Sequence, residues 1–345
     1  MPTIYDVSKS AGVSPKTVSR VINNENAISE STRQKVLRAI ESLNYSPNAS
    51  ARRLKLGKRK GEENGREKTF NLGVIVSAVY IYAEPYFSRI LQGIEKETVE
   101  NGYHLYFSYT FSLLSNNPGL FSKVIDSSNI DGVIFVNLVP WQQEEIIDRV
   151  KKEVDSVVCI DTMGIYGMDS IEIDKVKAGY DAVRYLYGKG HKRIGFVGRK
   201  LEKGRYDGYM KGLGDLGLEH DESVIEGGDC FGVEEGYRSM MKILERASPV
   251  PSAVFAASDQ TAIGVMKAIR QKGLNVPADI SVVGFDNINE SEHTVPPLTT
   301  FNVDKEGLGR MGVRRLIERI QNPGIQPMKV VVPAGLVIRE SCRNL

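Results

Sequence analysis

The sequence predicts a small all-α helix-turn-helix head followed by an α/β core of two doubly wound parallel-sheet lobes. Three observations carry that expectation. Residues 3–55 read as short helices with strong punctuation. From Phe70 onward, apolar strand-like runs alternate with helical stretches, the pattern of parallel sheets covered by helices. About a dozen such runs exceed what one open sheet holds comfortably, so the core divides into two lobes.

In the head, Thr3 caps a first helix, with Asp6 three residues later in a capping-box position, and Gly12 stops it. Ser14 caps a second helix, and Pro15 takes its first helical position, where a missing N–H costs nothing. Ser29 caps a third, running to about Leu43, with Val36, Leu37, Ile40 and Leu43 at helical spacing. Asn48 caps a fourth short helix, Ala49 to Lys55. Residues 56–69 hold one large apolar residue, three glycines and many charges, which reads as a solvated linker.

In the core, strand runs include Leu72–Val79, Gly132–Val136, Val157–Ile160, Ile194–Val197, Ala253–Ala256 and Ser281–Phe285. Helical stretches between them include Phe87–Glu100, Val176–Tyr187, Arg205–Leu213, Val233–Arg246 and Thr261–Gln271. The expected units are a head at 1–47, a short helix at 48–55 and a linker at 56–69. The first lobe is expected from 70–172 with 303–324, and the second from 173–302 with 325–345.

Of 345 residues, 41% are hydrophobic and 26% charged, ordinary for a soluble globular protein. The net charge of +2 hides an asymmetry: residues 1–60 carry 12 Lys and Arg against 4 Asp and Glu, and the remainder 33 against 39. A basic head on an acidic body is the footprint of a polyanion binder, although a solvated charge run reads the same way by charge alone. The start, Met1 to Asp6, lacks a basic segment followed by an apolar one, so no secretory signal is expected. No apolar run reaches the roughly 18 residues of a membrane-spanning helix, so no membrane partner is expected. Cys159, Cys230 and Cys342 are few and far apart, as in reduced thiols of a cytoplasmic protein.

Several motifs point nowhere. His104, His191, His220 and His293 have no metal-ligand spacing, and neither a metal nor a cofactor is expected. No phosphate-binding loop or nucleophile motif is present. Gly212 to Gly217 fits G-x-G-x-x-G, but a helix precedes it where a dinucleotide site needs a strand, so it reads as a helix end and loop.

Two constellations do carry chemistry. In Ala11-Gly12-Val13-Ser14-Pro15-Lys16-Thr17-Val18-Ser19-Arg20-Val21, Gly12 allows a sharp turn and Val13 and Val18 face a small core. Lys16, Thr17 and Arg20 then project near the start of the second helix, where a recognition helix meets major-groove base edges. In the core, Asp161, Ser258 and Asp286 each follow an apolar strand run, and open α/β sheets bind ligands at the carboxyl ends of strands. Asp161, Asp286 and Arg205 can make charge-assisted hydrogen bonds to a polyol, and Phe87 and Phe231 can cover its C–H faces. Taken singly, each acid could instead cap the next helix, and each aromatic could belong to the core. Asp161 and Asp286 could also form an acid–base pair, which leaves open a sugar-acting enzyme fused to a DNA-binding head.

The head motifs Asp6-Val7, Ala11 to Ser14, Thr17 to Asn23, Thr32-Arg33, Leu43 to Asn48 and Ala51 to Leu54 resemble the lactose repressor / galactose repressor family of transcriptional regulators. The resemblance continues through Pro85-Tyr86-Phe87, Gly190 to Ile194, Arg205 to Gly208, Ala257 to Gly264, Asp279 to Asp286 and Pro296 to Thr300. It implies a core like periplasmic sugar-binding proteins, with three crossovers and an effector between the lobes. It implies that Lys16 and Arg20 read the major groove while Ser14, Thr17, Ser19 and Asn23 hold phosphates or bases. It makes 48–55 a hinge helix whose Leu54 wedges into the minor groove, with Lys55 beside it. It matches Phe87, Asp161, Arg205, Phe231, Ser258 and Asp286 to effector-contacting positions. The implied partners are double-stranded operator DNA with a pseudo-palindromic site, a second copy of the chain in a homodimer, and a sugar-like effector. Glu84 to Phe87 is similar to a segment of regulators responsive to galactose or galactosides. The chain departs from the pattern at Pro15, in a slot often held by a base-contacting side chain, and in the 17 residues separating Leu54 from Leu72.

Overall fold

The computed structural model describes residues 3–22, 28–43, 68–77, 85–138, 140–162, 167–200, 204–228 and 232–345. The hinge helix at 48–55 and linker residues 56–67 lie outside the described residues. The chain forms two compact units, residues 1–69 and 70–345.

The head packs helices α1 (Ile4–Ala11), α2 (Pro15–Ile22) and α3 (Glu30–Ser42) around Val7, Val18, Val21, Val36 and Ala39. The cap chemistry follows the sequence. Thr3 and Asp6 form a reciprocal capping box, and Gly12 ends α1 in the left-handed region at φ 64°. Leu37 departs from expectation: it is 44% exposed, because α3 buries the stripe through Val36, Ala39, Ile40 and Leu43 and Leu37 lies one residue off it.

The core holds two six-stranded sheets with the same winding. The first contains β1 (Asn71–Val76), β2 (His104–Thr110), β3 (Gly132–Val136), β4 (Val157–Ile160) and β5 (Asp169–Ile173), ordered β2-β1-β3-β4-β5, all parallel. The second contains β6 (Ile194–Val197), β7 (Ile225–Glu226), β8 (Ala253–Ala256), β9 (Ser281–Asp286) and β10 (Thr299–Asn302), ordered β7-β6-β8-β9-β10, also parallel. In such doubly wound sheets the carboxyl ends of the strands open onto a crevice.

The C-terminal boundary corrects the expectation that residues 325–345 belong to the second lobe. Strand β11 (Lys329–Val332) pairs parallel with Asp169–Ile173 and extends the first sheet. The rest of the segment keeps to the second lobe: β12 (Gly335–Val337) runs antiparallel to β10, and the Val282 amide donates to the Ser341 carbonyl at 2.9 Å. The short apolar run Val330–Val332 prolongs one edge before the chain crosses, so the crossings fall at 173–175, 302–305 and 332–335.

Helices cover both sheets in close pairs. Helix α4 (Pro85–Glu100) packs on α12 (Lys305–Gln321), α8 (Lys175–Gly188) on α9 (Arg205–Asp215), and α10 (Val233–Arg246) on α11 (Asp259–Gln271). Each contact is made by reciprocal glycines. A Cβ on Gly93 would lie 2.1 Å from the Glu306 carbonyl oxygen, and one on Gly309 2.2 Å from that of Ile90. Gly179 and Gly208, and Gly236 and Gly264, do the same for the other pairs. The dinucleotide-like run Gly212–Gly217 is the end of α9 and its following loop, as expected. Among the described residues no helix is long and apolar enough to cross a membrane.

Candidate functional site

In the head, Ser14 Oγ accepts from the Thr17 amide at 3.1 Å and lies 2.9 Å from Thr17 Oγ1, fixing the start of α2. Lys16 is exposed and Arg20, one turn later, partly so; Val18 between them is fully buried. The helix thus turns one basic edge outward and has no acidic residue in its first turn. Ser19 is only 9% exposed, on the side turned towards the head core. Asn23, Leu54 and Lys55 lie outside the described residues.

In the core, Asp161 stands just past the end of β4, 5% exposed, with a left-handed backbone at φ 53°. Its Oδ2 accepts the Tyr86 hydroxyl at 3.0 Å, and its Oδ1 is 2.9 Å from the Lys175 ammonium. Asp286 closes β9 at φ 113°, 8% exposed, and its Oδ1 is buried with no hydrogen-bond partner among the described residues. Arg205, the first residue of α9, reaches to 3.8 Å from that oxygen and lies over the Phe285 ring, 4.2 Å from its centroid. Phe87 packs edge-on to Tyr86, with ring centroids 4.8 Å apart.

These groups share one electrostatic neighbourhood. Burial pushes the Asp286 carboxyl well above the usual carboxylate range, against the pull of Arg205; Asp259 and Asp161 add to the rise. Burial, with Asp161 and Asp286 nearby, likewise raises the Tyr86 phenol. Asp259, which accepts from the Ile288 amide and the Thr300 hydroxyl, is pushed up to about 6 by burial. Burial lowers the Lys305 ammonium, whose donors are spent on the carbonyl oxygens of Asp286, Asn287 and Val303. A pocket of about 110 Å³ opens beside this cluster, lined by Pro85, Ser88 and Arg89 from one lobe and Ile288, Asn289 and Glu290 from the other, with Lys305.

Sequence reasoning placed Phe87, Asp161, Arg205 and Asp286 together, and the structure brings them to one cleft. Ser258 is also there, but its hydroxyl caps α11, bonding the Thr261 amide at 3.1 Å and lying 2.9 Å from Thr261 Oγ1. Phe231 lies outside the described residues. Tyr86, Lys175 and Lys305 were missed. Tyr86 stood inside a recognised motif; the two lysines each follow an aspartate that caps a helix, in Asp174-Lys175 and Asp304-Lys305, a signal too local to show what they reach. His191 is buried against Ser252 and the Arg343 carbonyl, holding the C-terminal segment rather than a site. Among the described residues no cluster of His, Cys, Asp and Glu is arranged to hold a metal.

Comparison with known proteins covers both units. Residues 3–48 match the model of bacterial regulatory proteins, lacI family, and residues 183–342 that of a periplasmic binding protein-like domain. The chain is 35% identical over its whole length to the HTH-type transcriptional repressor PurR of Histophilus somni (strain 129Pt), all of which it spans. It is 35% identical to the PurR of Pasteurella multocida (strain Pm70), over the whole chain and 99% of that protein. Among solved structures it is similar to the transcriptional regulator CelR–cellobiose complex, with TM-score 0.70 and 30% identity over 99% of this chain and 100% of that one. It is similar as well to the lac repressor dimer bound to operator and the anti-inducer ONPF, with TM-score 0.75 and 28% identity over 99% of each chain.

Proposed function

The chain belongs to the lacI family of bacterial regulatory proteins, and from that premise we propose that it represses transcription as a homodimer whose grip on a pseudo-palindromic operator is set by a sugar-like effector. That it is a DNA-binding transcriptional regulator with a small-molecule-binding core, and not an enzyme, follows from its relatives. The effector class, the residue roles, the cytoplasmic setting and the assembly are the finer reading.

One observation carries the effector assignment: two buried strand-end carboxylates, Asp161 and Asp286, share one electrostatic neighbourhood, and the second has a buried oxygen without a hydrogen-bond partner among the described residues. A polyol supplies the missing donor, its other hydroxyls reach Asp161 and Arg205, and Phe87 covers a C–H face. The cellobiose held by the similar regulator CelR supports a saccharide, and Glu84 to Phe87 favours a galactoside. In the head, Lys16 and Arg20 read base edges while Ser14, Thr17 and Asn23 hold phosphates or bases, Ser19 being turned towards the head core; Leu54 wedges into the minor groove beside Lys55.

A thermal-shift screen of galactose, lactose, cellobiose and nucleobases tests the effector class. We expect a saccharide to raise Tm, and Asp286→Ala or Arg205→Ala to abolish that shift while leaving operator binding nearly intact. Wild-type saccharide affinity in either variant, measured by calorimetry, shows that the pocket is misassigned. A shift with a nucleobase alone replaces the saccharide with a planar heterocycle.

A further inference from the structure

The cleft contains a pair of residues related by the symmetry of the two lobes. The first crossover enters α8 through Ile173-Asp174-Lys175, and the second enters α12 through Val303-Asp304-Lys305. In both, the aspartate is the N-cap: Asp174 accepts from the Lys177 amide and Asp304 from the Gly307 amide, each at 2.9 Å. Their backbones nearly superpose, at φ −73°, ψ 73° and φ −74°, ψ 80°. The lysine in each is the first residue of the helix on the far side of the crossing.

Each lysine then reaches back to the lobe the chain has just left. Lys175 begins a second-lobe helix, yet its buried ammonium lies 2.9 Å from the carboxylate of Asp161 on the first sheet. Lys305 begins a first-lobe helix, yet its ammonium donates to the backbone carbonyls of Asp286 and Asn287 at the end of a second-sheet strand, and to Val303 at 3.1 Å within the crossover. Both strand ends are held in the left-handed region, at φ 53° for Asp161, 113° for Asp286 and 51° for Asn287. Conformations of that kind persist only where surrounding contacts over-determine them. A helix cap alone does not need a buried ammonium that spans two lobes.

We propose that Lys175 and Lys305 are reciprocal inter-lobe ties that position the two effector-site aspartates and set the resting arrangement of the lobes. This rests on Asp161 and Asp286 being the effector acids. An effector donor arriving at either acid bears directly on the ammonium that joins it, or its backbone, to the opposite lobe. A small change in the cleft thereby reaches both crossings, the only segments about which the lobes can turn besides the third crossing at 332–335. The lysines are positioning residues: their contacts are to the acids and the chain.

The test uses the full chain and a duplex selected from random pseudo-palindromes. Lys175→Met and Lys305→Met should bind random-sequence duplex as the wild type does, because the head is untouched. Their effector-free operator affinity should differ from wild type by threefold or more, since the resting lobe arrangement has changed. The change in operator affinity produced by cellobiose or lactose should shrink by at least the same factor, and Lys175→Arg, which keeps the charge, should restore most of the Lys175 effect. If Lys175→Met fails to fold, the double variant Asp161→Asn/Lys175→Met removes the stranded carboxylate charge and is measured instead. Wild-type effector-free operator affinity in both Met variants overturns the proposal. A wild-type protein that ignores every saccharide sinks the effector reading alone, and the effector-free comparison still decides the lysines.

Discussion

Arg20 and Lys16 stand one helical turn apart on the outward edge of α2, which is the geometry for reading neighbouring base pairs. Arg20→Ala should weaken operator binding by about 1–3 kcal/mol per half-site and relax the preference for guanine at one position. Fluorescence anisotropy against a set of single-base operator variants measures this; a uniform loss on operator and random DNA would make Arg20 a phosphate contact instead. How readable each residue was depends on how local its cause is. Asp161 and Asp286 were readable because an acid after an apolar run falls at a strand end whatever the tertiary detail, and Arg205 through the motif Arg205 to Gly208 that carries the family resemblance. Tyr86 and Lys305 were not: Tyr86 meets Asp161 across 75 residues of sequence, and Lys305 meets Asp286 across 19. Ser258 shows the opposite limit, since its hydroxyl serves the N-cap that any serine before a helix can provide.

At the scale of elements, the central strands were legible because parallel strands buried on both faces read as continuous apolar runs. Gly132–Val136, Val157–Ile160, Ile194–Val197 and Ala253–Ala256 coincide with β3, β4, β6 and β8. Strands β2 and β5 were not named: β2 is an edge strand with its first three residues exposed, and β5 opens on Asp169 and carries Glu172 within it. Both acids of β5 are buried and matched, Asp169 by Arg315 and Arg319 and Glu172 by Lys329, so the pairing that permits them is invisible locally. The α4–α12 pair adds a similar device. Glu97, 4% exposed, accepts from Arg314 at 2.8 and 3.1 Å and from Arg310 at 2.8 Å. The Arg314 bonds above all, with those from Arg310 and Asn101, hold its carboxyl at about 2, below the ordinary 4.5. A depressed carboxylate contributes stability that is fully present above its unfolded value and lost as pH falls through its folded value. Glu97→Gln should therefore cost about 1–2 kcal/mol at pH 7, a figure discounted for the exposure of Arg314. Chemical denaturation should show the difference narrowing between pH 4.5 and 2; a gap that stays constant across that range means that the charge on Glu97 contributes nothing.

For the whole molecule the decisive feature is the split of charge between a basic N-terminal stretch and an acidic remainder. Duplex DNA attracts the first and repels the second, so binding depends on how many heads engage at once. One helix-turn-helix reads a half-site, and pairing two heads on a pseudo-palindrome requires a two-fold dimer. The first lobe offers a surface for it. Strand β2 is the edge of its sheet, and Leu105 and Tyr106 on it, Val99 at the end of α4 and Leu113 just beyond are 36–66% exposed. An apolar edge of this kind invites another chain. We therefore expect a dimer at micromolar concentration in light scattering, and a monomer from the double variant Leu105→Lys/Tyr106→Asp. Salt then separates the assembly states on DNA. A dimer neutralising roughly 6–10 phosphates should give a log–log slope of operator affinity against salt of about −5 to −9, because each neutralised phosphate releases counterions. The monomeric variant, with one head engaged, should give about half that slope and lose most of its preference for the palindrome over a single half-site. A wild-type monomer with undiminished operator affinity, or a variant that keeps the full slope, would mean that each head binds its half-site independently and that the first-lobe edge serves another purpose.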